Sequence, residues 1–451
     1  MRKSLRFIGK CFMALFGVGM MGPVAQKHSF ILSLLWVTFV IYALMTPVKL
    51  RAGMQTMGGV SISLSNGGLG GTLQTNDGVV GFVTTMVSEA GGYTIGTPLL
   101  LTGMASVATA GITQANNPYA FRHITEFYNQ ALDGAELYFM GVADTQTIAM
   151  ICSESNASGA IKLLNYGAGN IKVIGCITDD VAVNGVTAIT ITNGINADCY
   201  TAAANLKVML TQFTANQQPC RGLIGGTSYN GTASALTNET AGTTNNRVGM
   251  IIGDTQVWDA THTSAAMGLC LGTIASLPVQ RKISRVKNGP LTNLTCYLGT
   301  VALINGNPDV TTISGKGYIT FTTYVNKAGF FWQGDPMLTA TTDDYCSLSN
   351  GRVVDKMQVI TYSVYIEEVD DEIPLNTDGS GTMLATYAAY LQQEVIDAIN
   401  TEMVVTNEIS GFNCFVDPTQ DVVTQGGTNI VETATPVGYN GQINVLLGFQ
   451  Q

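Results

Sequence analysis

A chain of 451 residues has the length for two or three domains, and at 46% hydrophobic it can bury a large core. Its charged fraction is only 12%, against about 25% in an ordinary soluble domain, and its net charge is −10. The acidic balance excludes binding to nucleic acid by general electrostatics. The low charge leaves two readings, a surface largely covered by other protein or a β-rich chain with many polar loops.

Residues 1–53 carry Arg2, Lys3, Arg6, Lys10, Lys27, Lys49 and Arg51 and no acid, which leaves 14 basic against 31 acidic residues in the rest of the chain. Within this leader, "FILSLLWVTFVIYALMT" (30–46) is free of charge and long enough with its flanks to span a bilayer as a helix. It is either a membrane anchor or a false start, with translation beginning at Met54 or Met57, where the composition turns rich in Gly, Ser and Thr. The nine cysteines form no CxxC pair and are odd in number. They read as buried free thiols of a reducing compartment.

"GGVSISLSNGGLGG" opens the body at residue 58. Val60, Ile62 and Leu64 alternate with serines, which is the period of a half-buried strand, and a glycine tract follows. Strands and helices then alternate. Strands are predicted over 78–87, 135–142, 170–177, 220–226 and 247–254, and helices over 117–131, 157–167, 198–213 and 264–278, with Asn117 as a helix cap. This pattern predicts an α/β fold, with a mainly parallel sheet covered on both faces. Residues 179–194 read as a small β excursion and 227–246 as a loop with no hydrophobic period.

A third part begins near Val286. Residues 317–325 and 328–339 read as a hairpin turning at Asn326–Lys327. The stretch 351–369 places Val354, Met357, Tyr362, Tyr365 and Val369 near helical spacing. In 382–400, Leu384, Ala388, Leu391, Val395 and Ile399 form one helical stripe. The chain returns to β at 412–418 and 429–437. It closes on "GQINVLLGFQQ", in which Ile443, Val445, Leu447 and Phe449 again keep the period of a strand. A strand at a chain end frays unless something pairs with it.

Motifs for chemistry are missing from this pattern. Gly167-x-Gly169 precedes a strand instead of joining a strand to a helix, so it does not make a dinucleotide site. Gly315-Lys316 lacks the spacing of a phosphate-binding loop. The three histidines, at 28, 123 and 262, are dispersed, and His123 and His262 read as structural or exposed. No catalytic, cofactor-binding or metal-ligating residue is assigned, and the chain does not read as an enzyme. Two charge clusters stand out instead: Arg281, Lys282, Arg285 and Lys287, and Glu367, Glu368, Asp370 and Asp371. They are either solvated faces or complementary patches on neighbouring subunits that set register.

"GYITFTTYVNKAGFFWQGDPMLTATTDDYCSLSNGRVVDKMQVITYSVYIEEV" resembles the C-terminal region of contractile tail sheath proteins. The matching positions are Gly329, Gly334, Asp335, Pro336, Met337, Asp344, Tyr345, Asn350, Gly351, Arg352, Val353, Asp355 and Lys356. The ending, with Pro436 and Gly438, is similar to the family's closing strand. The resemblance implies a sheath-type core of α/β layers with a β-rich insertion and extended strand arms. Its parts would be a leader (1–53), an N-terminal arm (54–78), an α/β domain (79–285), a C-terminal core domain (286–436) and a C-terminal arm (437–451).

The resemblance further implies a structural subunit that polymerises helically around an inner tube and contracts to drive the tube through an envelope, as part of a phage tail or an injection particle assembled in a bacterial host cytoplasm. Its partners would be copies of itself, the tube protein, and baseplate and tail terminator proteins, with no cofactor and no nucleic acid; a membrane enters only if the leader is real. The strands at Val60–Leu64 and Ile443–Phe449 would pair with neighbouring subunits. The alternative from the residues alone is a membrane-anchored surface or adhesion protein, against which the free thiols count.

Overall fold

A computed structural model describes residues 76–180, 189–242, 244–441 and 443–445 of the chain. Val60, Ile62, Leu64, Leu447 and Phe449, and the apolar run 30–46, lie outside the described residues. Among the described residues no helix is long and apolar enough to cross a membrane.

The largely apolar runs become strands buried on both faces, as a parallel sheet requires. They are β1 (Val80–Met86), β3 (Leu137–Ala143), β4 (Val173–Ile177), β5 (Arg221–Gly225) and β6 (Val248–Ile251). With the short β2 (Leu99–Leu101) they form a six-stranded sheet in the order β2-β3-β1-β4-β5-β6. The pairs β1–β3, β1–β4, β4–β5 and β5–β6 are parallel, and only β2 runs antiparallel to its neighbour.

Helices cover both faces. On one, α2 (Ala160–Gly167) and α3 (Ala197–Ala215) lay Leu163, Leu206 and Leu210 over Gly81 and Gly222. On the other, α4 (Met267–Ala275) lies against the sheet and α1 (Pro118–Ala131). A side chain at Gly268 would collide with the His123 carbonyl, so glycine is what lets the two helix backbones touch. Asn117 does precede α1, but it does not cap it. Its Oδ1 accepts from the Val87 amide (2.8 Å) and its Nδ2 donates to the Val87 carbonyl (3.2 Å), satisfying the backbone where β1 ends. The excursion after β4 appears as a tiny antiparallel pair, Ile191–Thr192 with Ile195–Asn196. The loop over 227–246 is held by side chains in place of a hydrophobic period: Lys316 Nζ donates to the Ser234 carbonyl (2.7 Å) and Tyr318 Oη to the Thr237 carbonyl (3.0 Å).

After α5 (Pro308–Gly315), the hairpin at Asn326 pairs β7 (Thr320–Thr322) with β8 (Phe331–Gln333). Phe321 stacks on Trp332 at 4.5 Å, and the Trp332 indole donates to Thr273 of α4 (3.1 Å). This hairpin therefore shares the apolar core of the six-stranded sheet.

A second apolar cluster lies under α6 (Leu348–Tyr365), α7 (Ala385–Ile399) and the antiparallel pair β9 (Ile409–Val416) and β10 (Ile430–Pro436). The α7 stripe packs through Ala388, Leu391, Val395 and Ile399, each large aliphatic contributing about 1.5–3 kcal/mol by leaving water. Leu384 is the residue before the helix and stays 37% exposed. Of the expected α6 stripe, Met357 and Tyr365 pack against this cluster. Tyr362 and Val369 are exposed, while Arg352, Val353 and Asp355 are buried.

Candidate assembly interface

The residues that bury polar atoms on α6 form a latch. Asp335 begins it: its backbone carbonyl accepts from the Leu348 amide (2.8 Å) and its carboxylate from the Ser349 amide (3.1 Å), placing a negative charge at the helix N-terminus. Ser347 Oγ caps the same turn by accepting from the Asn350 amide. One turn on, Gly351 leaves room for the Arg221 side chain, which a Cβ there would meet at 2.7 Å. Arg221, buried on β5, grips Asp355 in a bidentate pair (2.6 and 2.7 Å), donates to the carbonyls of Gly351 (3.1 Å) and Asn246 (2.9 Å), and lies over the Tyr345 ring. Arg352 Nη2 donates to the carbonyls of Asp77 (2.9 Å) and Leu277 (3.1 Å), and burial lowers its pKa to about 10. Lys356 Nζ stands 2.8 Å from Asp77 Oδ2 and 2.8 Å from Glu408 Oε2. The motif "NGRVVDK" thus fastens α6 to the sheet, to the start of the described N-terminal segment and to the residue before β9.

The β9–β10 pair is a sheet of two strands, and among the described residues no third strand pairs with either edge. Ile409, Cys414 and Val416 face the α7 side, while Phe415 (53% exposed) and Val431 (59%), directly opposite each other in register, face out. Beyond β10 the chain runs past Tyr439, whose ring sits 4.6 Å from Lys282 Nζ and whose hydroxyl donates to the Gln280 carbonyl. Ile443 and Val445 then stand 75% and 70% exposed, in no strand.

The charge clusters are placed unevenly. Arg285 and Lys287 are exposed and Arg281 is half-buried, whereas Lys282 turns inward, 3.6 Å from the buried Asp335. Glu367, Asp370 and Asp371 are exposed, whereas Glu368 accepts from Tyr387 (3.1 Å) and Tyr390 (2.8 Å). Among the described residues no ion pair joins the two clusters.

The carboxyl edge of the sheet, where α/β proteins bind ligands, is filled by the chain's own side chains. Arg122 Nη1 pairs with Asp254 (2.7 Å), and Tyr119 bonds Ser264 (2.7 Å) and the Thr178 carbonyl (3.0 Å). The Trp258 indole donates to Asp179 (3.0 Å) and packs against Tyr119 and Arg122. His123 is wholly buried beside Arg122 and Glu126, and desolvation together with the Arg122 charge lowers its pKa. Gly169 sits at the opposite, amino-terminal edge, before β4. The eight cysteines among the described residues are free thiols, and all but Cys346 are buried. No group of three or more potential metal ligands occurs among the described residues.

Asp77, Glu408, Gln280 and Tyr439 carry this arrangement and were not singled out from sequence. Arg221, a lone charge in the apolar strand "CRGLIGG", was the legible signal of a buried pair.

No curated protein matches the chain in sequence. In fold it is similar to the helical sheath of the anti-feeding prophage in its contracted state, with 12% identity over 88% of this chain and 99% of that one and a TM-score of 0.53. It is similar likewise to the contracted sheath complex of an extracellular contractile injection system, PVC (12% identity, 87% and 97% covered, TM-score 0.51), and to a chain of the contracted anti-feeding prophage baseplate (9%, 87% and 97%, 0.54). The fold is that of contractile sheath proteins. Residues 57–335 match the DUF2586 N-terminal domain and residues 344–451 the DUF2586 C-terminal domain, and the chain belongs to the DUF2586 family.

Proposed function

We propose that the chain is the structural subunit of a contractile sheath, whose copies polymerise helically around an inner tube and repack, when triggered by a baseplate, into a shorter and wider lattice that drives the tube through an envelope. The observation that carries this reading is the β9–β10 sheet, with which no other strand among the described residues pairs, beside the exposed Ile443 and Val445, on a chain with the sheath fold. Each subunit has two strand-patterned arms, one with Val60, Ile62 and Leu64 and one with Ile443, Val445, Leu447 and Phe449. Two edges accept two strands, so the exchange balances in a lattice of identical copies. Each main-chain hydrogen bond contributes about 1 kcal/mol net, so the link holds by repetition.

Residues 54–78 and 437–451 serve as arms around the body between them. Arg281, Arg285 and Lys287 meet Glu367, Asp370 and Asp371 of neighbours and set register. Lys282 and Glu368 contribute less, because both already have partners within the chain. The partners are copies of this chain, the tube, and baseplate and terminator proteins, in a tail or injection particle. The energy of contraction is the difference in packing between two lattices, with no nucleotide and no catalytic step.

The test is negative-stain electron microscopy of residues 54–451 at high concentration, alone and with a candidate tube protein. Striated tubes or rings of uniform width are expected. Dispersed monomers under both conditions would refute the reading.

A further inference from the structure

Both arm roots lead to the same two residues. Asp77 lies just ahead of β1, and its carboxylate shares Lys356 Nζ with Glu408, at 2.8 Å on each side. Arg352 holds the same root by the Asp77 carbonyl (2.9 Å). At the other end Tyr439 donates to the Gln280 carbonyl, and Gln280 Nε2 donates to the Asn407 carbonyl (3.3 Å). Asn407 and Glu408 directly precede Ile409, the first residue of β9. The charged link is the more protected, since Lys356, Asp77 and Glu408 are 16%, 20% and 8% exposed.

We propose that Asn407–Glu408 is a mechanical node in which Lys356 joins the N-terminal arm root, and Gln280 the C-terminal arm root, to the receiving β9–β10 pair. This rests on the strand-donation reading above. A pull on a donated arm then passes through Asp77, Lys356 and Glu408 into the strand that holds a neighbour's arm. The load path from subunit to subunit bypasses the six-stranded sheet. Only the arms, the node and the β9–β10 pair need stay in place during repacking, and the α/β layer is carried along.

Lys356 is a positioning residue, and its test needs a readout that loss of fold alone would not give. Full-length protein is compared as wild type, Asp77→Asn, Lys356→Arg and Lys356→Met. Polymers are sheared under fixed conditions and their lengths measured, and monomers are followed by hydrogen exchange. Asp77→Asn keeps the Lys356–Glu408 pair, so monomers should fold and polymerise, but their polymers should break to roughly a tenth of wild-type length, the scale of one charge-assisted hydrogen bond. Lys356→Arg polymers should hold. Asp77→Asn polymers that resist shear like wild type overturn the node. If the wild type forms no polymer either alone or with a candidate tube protein, the strand-donation reading fails, and the node is judged in the monomer. Lys356→Met should then speed exchange roughly tenfold at both 77–80 and 409–416 while 248–251 stays protected. Acceleration at one end only, or at neither, overturns it.

Discussion

The six-stranded layer and the β9–β10 unit treat their backbones in opposite ways. In the former, all strands but the edge strand β2 are buried on both faces under helices, and even the carboxyl edge is filled by Tyr119, Arg122, Trp258 and Asp254. The latter covers one face with α7, exposes the pair Phe415–Val431 on the other, and among the described residues pairs with no further strand at either edge. A finished sheet can only be carried, whereas an unfinished one can be completed by another chain. Substitutions that separate the two regions test this contrast.

The largest effect on folding is expected where the regions are fastened. Asp355→Ala leaves the Arg221 guanidinium buried with half its partners gone and should lower stability by about 3–5 kcal/mol in urea unfolding. A loss under about 1 kcal/mol would show the latch to be dispensable. Next, Leu391→Ala opens a cavity between α7 and β9 worth about 3 kcal/mol. Hydrogen exchange should rise over 409–416 and not over 248–251; uniform acceleration would mean that the two regions unfold as one.

The buried His123 gives a pH dependence confined to the α/β layer. Its folded pKa is depressed below 6.5, so the unfolded chain takes up the proton first. This contribution to stability is intact above that value and falls by up to about 1.4 kcal/mol per pH unit below it. His123→Gln should flatten the fall in urea midpoint between neutral pH and about pH 5.5 relative to wild type; identical slopes would remove His123 as the cause. Smallest for the monomer are deletion of 441–451 and the pair Arg285→Glu with Lys287→Glu. Each should leave stability within about 0.5 kcal/mol of wild type. In sedimentation the deletion should abolish polymers and the charge reversal should weaken them, and normal polymers from either would return that segment to a passive surface.

The parts of the chain legible in sequence share a physical reason. Largely apolar runs such as Val80–Met86 and alternating stretches such as Ile430–Pro436 report burial directly through transfer energies. Hydrophobic period fails where polar atoms are buried in pairs. On α6, Arg352 and Asp355 lie outside the expected apolar stripe, yet they are inside because Asp77, Leu277 and Arg221 satisfy them. Lys282 counted as part of a surface cluster, although Asp335 and Tyr439 take it up. Asn117 marked the right helix boundary but bonds the end of a strand. These partners lie tens to hundreds of residues away, and no local spacing encodes them.

Tyr439 bears on which chain completes the sheet. Only Val437, Gly438, Tyr439 and Asn440 separate the end of β10 from the strand-patterned 441–449, a length typical of a hairpin loop. A chain end that folded back there would occupy the edge of β10 from within, and at the millimolar effective concentration of a short tether it would outcompete any neighbour. With its hydroxyl on Gln280 and its ring against Lys282, Tyr439 anchors this connection at its third residue. On the strand exchange proposed above, this anchor would disfavour self-capping and leave the sheet to be completed by another copy.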